Sequence, residues 1–270
     1  MLEDKHGVTV ITLTRHRINL LDRAINSVRQ QGYSGKIEHL ILIDDCLDTL
    51  SYLKQKSEVS VQAIVYDFIP RPTNVISGPS RVAKLRNIGV LKATFDRIAF
   101  LDDDNEYEPD HVSSLVELME SLKYFAVHSN SRIYYSDGRP YLEQCLPWYR
   151  DKKQGTAKYQ EFIEQGIVMP GSNIIRSRFP EKTSSNIDAN FVDTSEWLIR
   201  RELLLRYPFI EAYDLSDWEN LVTEDDKLVH TFLRNNIAVA STGKPTVKYF
   251  LGGYSNSKLA LQKPGEWVLE

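Results

Sequence analysis

The chain has 270 residues, of which 42 % are hydrophobic and 26 % charged, with a formal net charge of −4. That length suits one large α/β domain or two small ones, and the slight acidity argues against a nucleic-acid partner, whose binder carries a basic face. Two cysteines, Cys46 and Cys145, exclude a disulfide framework of the secreted kind. Met1 to Lys5 form no apolar signal core, and no apolar run approaches the length of a membrane span. The expectation is a cytoplasmic enzyme; peripheral attachment at the inner face of a membrane is left open.

Along the chain, Val8 to Leu13 is a short β-rich run, followed by the polar loop Thr14-Arg15-His16-Arg17. Leu20, Leu21, Ala24, Ile25 and Val28 then recur at helical spacing. His39 to Ile43 reads as a second strand, ending in Asp44-Asp45, and Val61 to Phe68 as a third. Val82, Leu85, Ile88 and Leu91 mark a helix. Ile98 to Leu101 is an apolar strand that runs straight into Asp102-Asp103-Asp104. Pro109 and Asp110 suit a helix start, and Val112, Leu115, Val116, Met119 and Leu122 form one apolar face. Strand and helix alternate through this half, so the fold class is α/β, a mostly parallel, right-handed, doubly wound sheet flanked by helices.

The second half is less regular and predicts a mixed arrangement. Tyr124 to Val127 and Arg132 to Tyr135 read as two strands with a turn between them. Gly155 to Gly166 and Trp197 to Leu205 read as helices, and so does Thr223 to Arg234. Val247 to Leu251 is a last strand before Gly252-Gly253.

Three acidic clusters carry the chemistry: Asp44-Asp45, Asp102-Asp103-Asp104 and Glu224-Asp225-Asp226. Any one of them could be a solvated loop or a helix start, where carboxylates are favoured by the dipole. Strand ends at the carboxyl edge of an open α/β sheet are, however, where ligands bind. Three adjacent anions repel unless a cation sits among them, so a divalent metal bridging to a phosphate suits the Asp102 group. If the strand continues that far, Asp102 and Asp104 share a face.

In this order the motifs resemble the inverting glycosyltransferases of family two, with the GT-A fold. The resemblance rests on Val8 to Thr14, Ile43-Asp44-Asp45, Lys84-Leu85-Arg86-Asn87-Ile88-Gly89, Asp102-Asp103-Asp104 followed by Pro109-Asp110, and Glu224-Asp225. The chain departs from the family at Leu13 and His16, where the family usually has proline and asparagine. The match is firm over about residues 8 to 120 and thins to isolated motifs beyond.

The resemblance implies one GT-A domain over 1-270, with a nucleotide-sugar half over about 1-120 and an acceptor half over about 121-270. It implies a UDP-sugar donor, Mn2+ or Mg2+, and a hydroxyl acceptor such as a glycan, a lipid-linked glycan or a polypeptide. Thr14 and Arg17 would line the nucleotide pocket. Asp45 would accept from the base, Asp103 would hold ribose hydroxyls, and Arg86, rather than Arg81, would support the nucleotide side. Asp104, with Asp102 beside it, would ligate the metal. Asp225 would be the general base of a single inverting displacement, with Glu224 orienting the acceptor or the helix start. Lys248 looks available to the diphosphate.

Other residues read more blandly. His230 suits a packed helix position rather than a metal ligand. Of Trp148, Trp197, Trp218 and Trp267, Trp218 is the best acceptor-side stacking candidate, seven positions before Asp225, and Asn173 is a weaker candidate for the donor sugar. A homodimer is left open. Two alternatives stand beside the leading one. A nucleotidyltransferase would need a glycine-rich phosphate loop after the first strand, and Thr12 to His16 is poor in glycine. A non-catalytic nucleotide- or calcium-binding module would leave Glu224-Asp225 dispensable, and no calcium-loop spacing is present.

Overall fold

The computed structural model describes residues 6–59, 65–71, 78–149, 151–179, 192–220 and 222–253, with the backbone alone at 57–59 and 218. The first half alternates β1 (Val8–Thr14), α1 (Ile18–Arg29), β2 (Ile37–Asp44), α2 (Leu47–Val59), β3 (Val65–Ile69), α3 (Gly78–Lys92) and β4 (Arg97–Phe100). β5 (Glu106–Tyr107), α4 (His111–Leu122), β6 (Ala126–Tyr134), α5 (Lys152–Glu164) and β7 (Ile174–Ile175) follow. A 3-10 turn (Thr194–Glu196) leads into β8 (Trp197–Arg200), α6 (Arg201–Arg206), α7 (Leu215–Glu219), α8 (Glu224–Arg234) and β9 (Val239–Phe250).

The strands form one sheet in the order β3-β2-β1-β4-β8-β6-β9-β5, with β7 against β6. β3, β2, β1 and β4 pair in parallel. β8 is antiparallel to both β4 and β6, so the sheet is mixed beyond β4. The order 3-2-1-4 reverses direction between β1 and β4, and a crevice at the carboxyl ends of strands opens at such a switch point.

Side-chain alternation along β1 and β4 builds two core layers. Val8, Val10, Ala99 and Leu101 pack with Ala24 and Val28 of α1 and with Val112, Leu115 and Met119 of α4. Ile11, Ile98 and Phe100 face the other way, onto Ala83 and Val90 of α3, Leu203 and Leu204 of α6, and Leu228 and Phe232 of α8. Strands with both faces covered read as continuous apolar runs, which is why β1, β2 and β4 were visible in the sequence. α3 lies close on β1: a Cβ at Gly89 would meet Ile11 Cγ2 at 2.8 Å and Leu42 Cδ1 at 3.3 Å.

Three expectations need correction. Trp197 to Leu205 is not one helix: Trp197–Arg200 is a strand and the helix starts at Arg201. Trp197 is fully buried and meets His128, Phe179 and Phe232 edge-on; a short run buried on both faces has no periodicity that separates strand from helix. Tyr124 to Tyr135 is not a hairpin but the single strand β6, running through the buried polar residues Ser129, Asn130 and Ser131 with irregular register against β9. The last strand begins at Val239, well before Val247, despite Gly243 and Pro245. Of the predicted strand Val61 to Phe68, positions 61–64 lie outside the described residues, and β3 covers the rest.

Two predictions arise from this packing. Gly89→Ala gains helix propensity but overpacks a stiff β-branched neighbour, so a net loss of about 1–2 kcal/mol is expected by urea denaturation. The second concerns His111, stacked on Tyr107 at 3.7 Å, with Nδ1 2.7 Å from Thr246 Oγ1, and His128, whose Nδ1 donates to the Ser129 carbonyl at 2.7 Å. Burial holds their pKa values down to about 3 and about 4. At each of these two side chains the unfolded state therefore binds up to one more proton than the folded state between about pH 4 and 6.5. Their stabilisation is complete above pH 6.5 and falls as pH drops through that window, by up to about 2.7 kcal/mol per pH unit. Stability of the unaltered chain and of His111→Gln, measured by denaturation from pH 7.5 to 4.5, checks this: the variant's slope should be smaller by up to about 1.4 kcal/mol per pH unit.

Candidate active site

The carboxyl edge at the switch point collects the acidic clusters around two arginines. After β1 the chain turns through His16, in the left-handed region at φ 54°, and Arg17 precedes α1. Arg17 Nη1 donates to Asp103 Oδ1 at 3.1 Å and to Asp104 Oδ2 at 3.0 Å. Arg23 Nη2 donates to the Asp104 carbonyl at 3.3 Å while stacking over Phe250 at 4.1 Å. Burial pushes both carboxyls up, and their mutual proximity adds to this at Asp104, whereas Arg17 pulls both down.

β4 ends at Phe100, so Asp102 to Asp104 lie in a turn, closed by the Asn105 amide donating to the Asp102 carbonyl at 3.1 Å. The condition for Asp102 and Asp104 to share a strand face is not met. Asp102 turns instead to Arg86, whose Nη2 donates to its Oδ1 at 3.2 Å.

Arg86 is the hub of the second group. It is 4 % exposed and lies near the faces of Phe209 and Phe100, 5.5 and 5.9 Å from the ring centroids. Its Nη1 donates to Glu224 Oε1 at 2.5 Å and to Asp225 Oδ1 at 2.9 Å. Asn87 secures this wall: its Nδ2 donates to the Phe209 carbonyl and its Oδ1 accepts the Phe209 amide, both at 2.9 Å. Burial pushes Glu224 up to about 7, with Asp225 adding to the rise and Arg86 opposing it; Asp225 is raised too, chiefly by burial. Asp226 is diverted elsewhere. Thr223 and Asp226 form a reciprocal capping box at the start of α8, leaving Glu224 and Asp225 to Arg86.

The paired aspartate after β2 splits. Asp44 is buried and takes Arg71 on Oδ2 and Arg81 on Oδ1, the latter through Nε at 2.9 Å and Nη2 at 2.8 Å. Asp45 is exposed, in the left-handed region at φ 49°. Arg81 thus serves β2, and Arg86 serves β4 and α8. Thr14 is buried at the end of β1.

Other sequence candidates lie apart. The Lys248 ammonium sits 3.8 Å from Glu106 and 3.7 Å from Glu108. Trp148 Nε1 donates to the Tyr249 hydroxyl at 3.1 Å, Trp197 is core, and Asn173 Nδ2 donates to the Ile133 carbonyl at 2.9 Å. His230 is half-buried within α8. The side chain of Trp218, in α7, and the whole of Trp267 lie outside the described residues. Asp193 and Thr194, absent from the sequence candidates, join the site. Thr194 donates to Asp225 through its hydroxyl to Oδ1 and through its amide to Oδ2 at 3.3 Å. No motif flagged them, since Val192 to Glu196 carries no spacing pattern.

The Asp102 turn suits a hard divalent cation. Its donors are carboxylate oxygens, the Asp103 and Asp104 carboxylates share the one Arg17 guanidinium while Arg23 reaches only the Asp104 carbonyl, and a Cβ at Gly253 would collide with Asp104 Oδ2, so only glycine fits on that side. Among the described residues no three His, Cys, Asp or Glu side chains group as a set of metal ligands.

Comparison with known proteins agrees with this architecture. The family model "Glycosyl transferase family 2" matches residues 9–205. The chain belongs to that glycosyltransferase family, and its mixed α/β sheet is the GT-A fold. Among solved structures it is similar to Staphylococcus aureus TarS 1-349 in complex with UDP-GlcNAc, at 14 % identity and a TM-score of 0.59, over 93 % of this chain and 61 % of that one. It is also similar to the mannosyltransferase PcManGT from Pyrobaculum calidifontis in complex with GDP-Man and Mn2+, at 15 % identity and a TM-score of 0.58, over 92 % and 58 %. The chain thus spans about 60 % of the TarS 1-349 structure. No curated protein matches. Among the described residues, no helix is long and apolar enough to cross a membrane.

A buried arginine that neutralises several acids is costly to remove, because the acids stay behind. Arg86→Met is expected to lower stability by about 3–5 kcal/mol. Glu224→Gln added to that variant should recover part of the loss, and a double-mutant cycle by denaturation measures the coupling.

Proposed function

We propose that this chain moves a sugar from a nucleoside-diphosphate sugar, a UDP-sugar in the first instance, to a hydroxyl on a glycan, lipid-linked glycan or polypeptide. The transfer is a single displacement with inversion, assisted by Mn2+ or Mg2+. The observation that carries this reading is the Arg86 bridge, which joins Asp102 at the end of β4 to Glu224 and Asp225 at the start of α8. A donor-side strand end and an acid suited to acceptor activation thereby share one cleft. The ligands in the two similar structures, UDP-GlcNAc in one and GDP-Man with Mn2+ in the other, support the donor class.

In this reading Asp45 is free to accept from the base, while Asp44 keeps β2, β3 and α3 together. Thr14 and Arg17 border the diphosphate, and Asp103 takes ribose hydroxyls. Asp104, with Asp102 near it, would hold the cation, which when bound neutralises charge building on the departing diphosphate. Asp225 takes the acceptor hydroxyl proton as its oxygen attacks the anomeric carbon, and the bond to the diphosphate breaks with its electron pair leaving on the nucleotide. Glu224 shares Arg86 and keeps the start of α8 in register. The nucleotide half, about 1-120, and the acceptor half, about 121-270, meet at Arg86.

Calorimetry with UDP and with GDP, with and without Mn2+, tests the donor half: binding should require the metal, and absent or metal-independent binding overturns it. Asp225→Asn should keep nucleotide affinity within about twofold while sugar transfer falls by about 10²–10⁴. Loss of both together assigns Asp225 a structural role instead.

A further inference from the structure

Asp225 is held by more than its salt bridge. Its Oδ1 accepts from Arg86 Nη1 at 2.9 Å and from the Thr194 hydroxyl. Its Oδ2 accepts the Thr194 amide at 3.3 Å. A carboxylate oxygen offers two lone-pair directions. Both on Oδ1 are taken, while Oδ2 keeps one and has a long partner on the other. The side chain of Asp225 is 22 % exposed.

Thr194 is itself fixed. It is 1 % exposed and opens a 3-10 turn that Asp193 caps, with Asp193 Oδ1 accepting the Ser195 amide at 2.9 Å. The Ser195 hydroxyl in turn accepts the Asp102 amide and the Asn105 side-chain amide, each at 3.3 Å. Trp197, two residues on from Ser195, anchors the turn in the core. The turn therefore touches the Asp102 loop on one side and the acid of α8 on the other.

We propose that Thr194 is a positioning residue for Asp225: its hydroxyl and amide orient the carboxylate so that Oδ2 is the atom that takes the acceptor proton. This rests on Asp225 being the base. The step is the one already balanced above; Thr194 adds no bond to substrate. A threonine there with only a structural role would satisfy its own hydroxyl and leave turnover untouched when replaced by a residue of the same shape.

The test uses the full 270-residue chain with Mn2+, following nucleoside diphosphate release from UDP-GlcNAc and from GDP-mannose with water as acceptor. Thr194→Val should lower kcat about tenfold or more with KM for the nucleotide-sugar within about twofold. Thr194→Ser, which keeps the hydroxyl, should stay within about threefold of the unaltered chain. Wild-type kcat in Thr194→Val, with Asp225→Asn inactive, overturns the positioning role and leaves the base intact. An active Asp225→Asn overturns the base reading itself. Thr194→Ala replaces the valine variant if melting shows the latter unfolded. A second readout needs no turnover: the 13C carboxyl resonance of Asp225, assigned by its loss in Asp225→Asn. Asp225 is faced by Arg86, by Glu224 and Asp226 of its own helix, and by Asp102 and Asp193 across the cleft. Those charges are unchanged by Thr194→Val, so loss of the hydroxyl should raise the titration midpoint by about one unit. An unmoved midpoint overturns the proposal.

Discussion

One guanidinium balances the cleft. Arg86 is buried, and three carboxylates from two distant parts of the chain converge on it. Asp102 lies 16 residues away in sequence, while Glu224 and Asp225 lie 138 and 139 away. Burying charges is expensive unless they are paired and hydrogen-bonded, so these four side chains must assemble together or not at all. The start of α8 thereby joins the carboxyl edge of the sheet although more than a hundred residues separate it from β4.

The cation is shared unequally, and the inequality matters chemically. Glu224 and Asp225 compete for the same Nη1, whereas Asp102 has Nη2 and lies at its more exposed side. Any positive charge brought to the Asp102 turn draws on the same acids and leaves Arg86 more fully committed to α8. The Asp102 turn and the start of α8 are therefore linked by Coulomb interaction through a buried guanidinium, where such terms are screened less than at the surface. Capping by Asp226 sharpens the arrangement: the box with Thr223 uses neither Glu224 nor Asp225, so both carboxylates are left to Arg86.

Legibility in the sequence followed physical distinctness. β1, β2 and β4 are covered on both faces and end abruptly in polar loops, so apolar runs and acidic exits marked them. α4 announced itself through Pro109, Asp110 and a single apolar face, and α8 through its acids. The mixed half was opaque for definite reasons. Trp197 to Arg200 is a strand buried on both sides, adjoining a helix with no break. β6 threads polar residues through the interior, where Ser129 and Asn130 look like a turn. β9 contains glycine and proline. At the site, the sequence motifs marked acids that the fold gathers at one sheet edge but not their partners: which of Asp44 and Asp45 is buried, which arginine pairs at which strand end, and that Lys248 lies beside Glu106 and Glu108 are all questions of side-chain direction. Thr194 was invisible because a single buried hydroxyl leaves no pattern.

The placement of both arginines traces back to α3. Arg81 and Arg86 stand five residues apart on that helix and reach different strand ends, Asp44 after β2 and Asp102 after β4, with β1 between them. To span three strands, the helix axis must lie low over β1, and side chains hold packed layers apart. Gly89 removes the one that would stand against Ile11 and Leu42. A methyl group there would lift the helix from the sheet and stretch both ion pairs. A packing choice in the core thus sets the reach of the charges at the edge, and a residue with no polar atom in its side chain shapes the candidate site as strongly as the acids do.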